Sequence, residues 1–191
     1  MKKLELEDIL GLEDFESQRQ QLFEKHSKYL EKYRKIRIGP NWILVFENRQ
    51  TLWFRVQEVL RITRTTDPKL ILNELAIYNR LLPEKDCLQA ALIFDPAKTS
   101  SDFTVKNING EMLRLHCGNH SIASNLINSR PEDLTLGNCL WVQFVCSPHH
   151  INHLKNPRED VWFSIKSNGD EYTSNPANPD FRESILKDLA N

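Results

Sequence analysis

The sequence predicts an α+β fold, a mixed or mainly antiparallel sheet with N-terminal and crossover helices packed on it. Three observations carry this. A long amphipathic stripe lies near the N-terminus. Short runs that are apolar on both faces recur along the chain, the signature of strands inside a covered sheet. Turn signals separate the later runs at hairpin spacing. The 191 residues suffice for one domain, with residues 1–35 a helical N-terminal segment and residues 36–191 a sheet-based core.

Leu12–Lys35 is the first element. Phe15, Leu22, His26, Tyr29 and Tyr33 fall seven, four, three and four apart, one continuous helical stripe that Phe23 and Leu30 widen. Glu24–Lys28 and Glu31–Lys35 add i,i+4 ion pairs in the favourable order. Gly11 closes a short turn before this helix, and Gly39-Pro40 marks the passage to the next element. Trp42–Val56 then reads as a central antiparallel hairpin. Its first strand holds Trp42, Leu44 and Phe46 alternating with Ile43 and Val45, and its second Leu52, Phe54 and Val56. Glu47–Gln50 would be its turn, and a helix would begin at Gln57 and Glu58.

Asp67-Pro68 is an N-cap followed by proline at the first helical position, and Ile71, Leu75, Tyr78 and Leu82 form the stripe of the helix that ends by Pro83. The connection Ile62–Asp86 is long enough for a helical crossover and leaves room for a parallel neighbour. Cys87–Asp95 reads as a strand and Pro96–Asn109 as a loop. Glu111–Cys117 alternates, Gly118-Asn119 signals a hairpin, and His120–Ile127 returns. Asn128–Gly137 is a second loop, Cys139–Cys146 a strand apolar on both faces, Ser147–Leu154 a short helix and Val161–Lys166 a strand. Ser167–Pro179, rich in Pro, Asn, Ser and Gly, reads as a loop before a closing helix, Asp180–Leu189.

Composition excludes several classes. Twenty-five basic and 26 acidic residues balance to a net charge of -1, which argues against a nucleic-acid binder. The basic run Lys25–Arg37 belongs to an amphipathic helix and is offset by Glu24 and Glu31. No apolar run approaches the length of a bilayer span, and acidic residues stand where a signal peptide needs an apolar core. A cytoplasmic protein with four reduced cysteines is the expectation.

No motif fixes a reaction: there is no nucleophile elbow and no glycine-rich phosphate loop. Glu47, Arg49, Gln57 and Glu58 gather polar groups around an aromatic-rich stretch. They are the candidate binding residues, joined by Tyr78 on the following helix. Arg49 would supply bidentate recognition of a carboxylate or phosphate, with Glu58 orienting it. Glu47 and Glu58, with Glu74 beyond, could alternatively serve as acid and base. His149 and His153 lie four apart on a predicted helix, one face of it, and could share a metal ion. His116, Cys117 and His120 straddle the hairpin turn and could complete that site, while His150 points elsewhere.

The stretch VFENRQTLWFRVQEVLRITR, with Asp67-Pro68 and NELAIYNRLLP at Asn73–Pro83, resembles a bacterial family, domain of unknown function 3501. LEDILGLEDFESQR near the N-terminus fits it, as do LWVQFVCS, VWFSIKS and LKDLA toward the end. The resemblance implies no defined activity and no known cofactor. It implies a setting near redox or oxidative-stress defence, beside a rubrerythrin-like or iron–sulfur oxidoreductase partner. With no catalytic signature and the polar turn Glu47–Gln50, a non-enzymatic accessory or binding role for that partner is the expectation. A small metal-dependent enzyme using Glu47, Glu58 and histidines is the alternative. Where the family pattern implies His-Pro-x-Tyr after the last strand, this chain has Gly169-Asp170-Glu171-Tyr172.

Overall fold

The computed structural model describes residues 1–94, 112–127, 139–167 and 169–190. The loops expected at Pro96–Asn109 and Asn128–Gly137 lie outside the described residues. A 3-10 turn at Leu6–Asp8 precedes α1 (Leu12–Tyr33), β1 (Lys35–Ile38), β2 (Trp42–Phe46), α2 (Arg49–Thr63) and α3 (Pro68–Asn79). Then come β3 (Cys87–Phe94), β4 (Leu113–Cys117), β5 (His120–Ala123), β6 (Asn125–Leu126) and β7 (Cys139–Val145). α4 (Pro148–Lys155), β8 (Val161–Ser167), β9 (Asp170–Thr173) and α5 (Pro179–Leu189) complete the order.

Among the described residues two sheets form, ordered β1-β2-β3-β7-β6 and β5-β4-β8-β9, and each of their strand pairings is antiparallel, as in Leu44↔Leu92 and Ala90↔Val142. The first sheet is covered on both faces, which is why its strands carry apolar residues on both. Leu44, Phe46, Leu88, Leu92 and Phe144 face a core shared with Leu115, Phe163 and Ile165 of the second sheet and with Phe181 and Ile185 of α5. Ala91 and Trp141 face the opposite way, onto Leu52, Val56 and Leu60 of α2 and Leu75 and Tyr78 of α3. Among the described residues no helix is long and apolar enough to cross a membrane.

The hairpin expected over Trp42–Val56 does not form. Its first strand is β2, but its partners are β1 and β3. Residues 49–63 are helix from the first turn. Asn48 decides this. Its side chain accepts from the Thr51 amide at 3.0 Å, while the Thr51 hydroxyl accepts from the Asn48 amide at 2.8 Å. That reciprocal cap satisfies the free donors of a helix start. The alternation of Leu52, Phe54 and Val56 comes from a helix buried on two sides. Leu52 and Val56, four apart, face the sheet, and Phe54 faces α1, where it stacks on His26 at 4.1 Å.

Two smaller corrections follow from topology. The path through α2 and α3 returns to β3 antiparallel to β2, so no parallel neighbour results. The stretch expected as a loop after Ser167 contains β9, paired on β8. The other helices start where their caps predict. Asp67 accepts from Lys69 N at 2.8 Å beside Pro68, and Ser147 with His150 caps α4.

Candidate functional site

Glu47 stands at the end of β2 and is wholly buried. Its amide donates to Gln89 O at 2.8 Å. Its carboxylate accepts from the Thr51 hydroxyl and from Arg55, through Nε at 2.9 Å and Nη2 at 2.8 Å. A buried carboxylate survives as an anion only with such compensation. The Arg55 guanidinium in turn lies 5.2 Å from the centre of the Trp141 ring, a cation–π contact. Burial is the largest influence and works against the Arg55 charge; Glu47 leads the opposing influences, which together hold the pKa above its ordinary value. Tyr78 packs beside this pair, and burial pushes its hydroxyl up to about 12. Burial likewise raises the Cys139 thiol to about 11.

Trp141 forms part of the wall of a groove of about 1230 Å³. The N-terminal segment supplies Leu4 and Leu6, α3 supplies Leu75 and Ala76, and the sheet supplies Gln89 and Trp141. Asn79 pins the N-terminal lip, donating to Leu4 O at 2.9 Å and accepting from Leu4 N at 2.8 Å. Lys3, Arg80, Glu5 and Glu84 mark the polar lining. Gln89 is 3% exposed, and its Oε1 has no hydrogen-bond partner among the described residues.

The four polar residues expected to cluster around the central stretch are dispersed, because the stretch is a helix. Arg49 and Glu58 are nine positions apart on α2, about half a revolution. Arg49 pairs with Asp8 at 2.5 Å. Glu58 pairs with Arg19 at 2.8 Å and Arg61 at 3.1 Å. Burial opposes its charge, yet these two arginines hold its carboxyl below the usual range. Gln57 is buried beside a separate cavity of about 110 Å³ lined by Leu12 and Phe15. Only Glu47 and Tyr78 come to the network behind the groove. Arg55, Gln89, Trp141 and Cys139 were not singled out by sequence. Gln89 had a signal, a lone amide inside the apolar run CLQAALIF. Arg55 had none.

The histidines behave differently. His149 and His153 do share a face of α4, and His120 at the start of β5 meets them. Ring centroids lie 4.6 Å apart for His120–His149, 4.2 Å for His120–His153 and 4.5 Å for His149–His153. One nitrogen from each falls within 4.8 Å of the others. His153 Nδ1 is 2.7 Å from Glu159 Oε2. His116 is elsewhere, stacked on Trp162 at 3.7 Å and paired with Ser164 at 2.8 Å. Cys117 is buried in the core.

Three comparisons bear on this architecture. The family model described as "Protein of unknown function (DUF3501)" matches residues 3–189. A crystal structure of a protein of unknown function from Burkholderia pseudomallei superimposes with a TM-score of 0.81, covering 98% of this chain and 100% of that one. The two are 19% identical, so the likeness is one of fold. No curated protein matches the chain.

Proposed function

This chain belongs to the DUF3501 family, and we propose that it is a binding protein whose groove takes an organic ligand with an apolar body and one hydrogen-bond donor. The observation that carries the reading is Gln89, a groove-lining residue whose buried amide oxygen has no hydrogen-bond partner among the described residues. An acceptor left in that state costs about 1–3 kcal/mol, which a ligand N–H or O–H would recover. Trp141 and the leucines around it would take the apolar part. Glu47 acts at one remove, holding Arg55 against Trp141.

An aromatic probe with an N–H group, 8-anilinonaphthalene-1-sulfonate, tests this. Saturable one-to-one binding to the folded protein is expected. Ala76→Trp, at an exposed position of the groove wall, should block it. Gln89→Leu should weaken it by roughly tenfold, the value of one hydrogen bond near 1.4 kcal/mol. Probe binding that ignores both substitutions would refute the reading. An accessory role beside a redox protein needs a docking feature of this kind. Capture of a rubrerythrin-like or iron–sulfur protein from the native cells, lost with Ala76→Trp, would join the two.

A further inference from the structure

We infer that His120, His149 and His153 form an open three-histidine site for a divalent transition-metal ion, with Glu159 as the carboxylate that orients His153. The site is independent of the groove: the cavity of about 430 Å³ beside it is lined by His120, His153, Arg158 and Trp162, none of which lines the groove.

The elements that place the ligands are defined at both ends. Ser147 caps α4, Pro148 occupies its first turn, and His149 and His153 therefore project one turn apart from the same face. His120 reaches them from the hairpin, where it pairs with Cys117 across the Gly118-Asn119 turn. The His149 ring stands at 85° to His120 and 74° to His153. The His149 ring is therefore not stacked face to face on the other two, and one nitrogen of each ring lies within 4.8 Å of the others. Tetrahedral ligation at about 2.0–2.1 Å places nitrogens roughly 3.4 Å apart. From a separation within 4.8 Å, small side-chain rotations close the site.

The surroundings are built for the same end. Glu159 takes Nδ1 of His153 and leaves Nε2 for the ion, while Asn156 Nδ2 donates to the other Glu159 oxygen at 2.8 Å. A carboxylate behind a ligating histidine sets its tautomer and raises its basicity. Arg182 of α5 braces the whole segment. It donates to the carbonyls of Leu154 and Glu159, each at 2.6 Å, His153 at 3.0 Å and Asn156 at 2.5 Å. Gly118 leaves space for Glu159. At its φ of +55°, a Cβ would lie 2.5 Å from Glu159 Oε2. Three imidazoles with a cavity at hand match the ligand set of zinc sites that keep a fourth position for water or substrate, and imidazole donors also suit copper, nickel and iron.

The test uses full-length untagged protein, stripped with chelator and titrated with cobalt(II) followed by visible absorption, then displaced by zinc. One equivalent is expected, with the absorption bands of a low-coordinate cobalt centre. His149→Asn, at an exposed position, should remove that uptake. Glu159→Gln should weaken it about 10- to 100-fold. His150→Gln, which keeps a capping acceptor and lies off the ligand face, should leave it unchanged. Circular dichroism confirms that each variant is folded. Failure of the wild type to take up one equivalent, or uptake undiminished in a folded His149→Asn protein, would overturn the assignment. Neither result touches the groove, whose probe binding is read separately.

Discussion

Phe54 shows how one side chain ties two helices together. It is 7% exposed, stacks on His26 and meets Phe15 edge-on at 6.1 Å. Phe54→Ala should therefore cost roughly 3–5 kcal/mol in urea unfolding, as for other buried aromatics. A cost below about 1 kcal/mol would mean the α1–α2 contact is incidental. The partner ring has a pH consequence. Burial first, and then the Arg55 charge, push His26 down to about 4. In the unfolded chain it titrates near 6.5. Between those values the unfolded state binds a proton that the folded state refuses, so stability falls as the solution is acidified. Discounted for the partial exposure of the ring, the loss should be on the order of 1–2 kcal/mol by roughly pH 4. His26→Gln should flatten this part of the stability profile; an identical slope in that variant would exclude His26 as the source.

Helix α2 is where local chemistry overrides a period-two pattern. Its Asn48–Thr51 cap sits directly on the buried Glu47, so the helix start and the Arg55 ion pair form one unit. Asn48→Ala should lower stability by about 1 kcal/mol, the usual value of such a cap. It should also shift Trp fluorescence, because Arg55 would lose its fixed place against Trp141. The same helical geometry separates Arg49 from Glu58, each with partners of its own. Single changes Arg49→Ala and Glu58→Gln should then combine additively, within about 0.5 kcal/mol. A larger coupling in a double-mutant cycle would show that the two residues share a network after all.

Across the whole molecule, Arg34 and Asp188 join chain segments 154 positions apart. Arg34 caps α1 and Asp188 lies in α5; both are buried and paired, and Arg34 Nε also donates to Tyr29 at 3.0 Å. Asp188→Ala should cost about 3–5 kcal/mol, because it leaves a buried guanidinium uncompensated. The paired change Arg34→Met with Asp188→Leu should recover most of that stability. If the single change is as mild as the double one, the pair is solvated and does not fasten the terminal helix.

The sequence by itself determined the elements whose signal is local. Caps at Asp67 and Ser147 placed α3 and α4, Gly118 placed the β4–β5 turn, an apolar run marked β3 as a strand, and runs apolar on both faces identified β2 and β7 as strands of a covered sheet. It also placed His149 and His153 on one face, since an i,i+4 relation is a property of the helix alone. Only the tertiary structure decided the rest. Residues 52–56 alternate like a strand because their helix is packed by the sheet on one side and α1 on another, and one dimension of sequence cannot separate those two causes. Arg55 reaches Glu47, which lies outside the helix at the end of β2, because α2 docks on the sheet beside that strand end. Gln89 becomes an unpartnered acceptor only when α3 and the N-terminal segment enclose it. His120 and Glu159 join the α4 histidines through hairpin and loop placement. Long-range contacts of this kind depend on how elements dock, and docking is set by burial summed over the whole core.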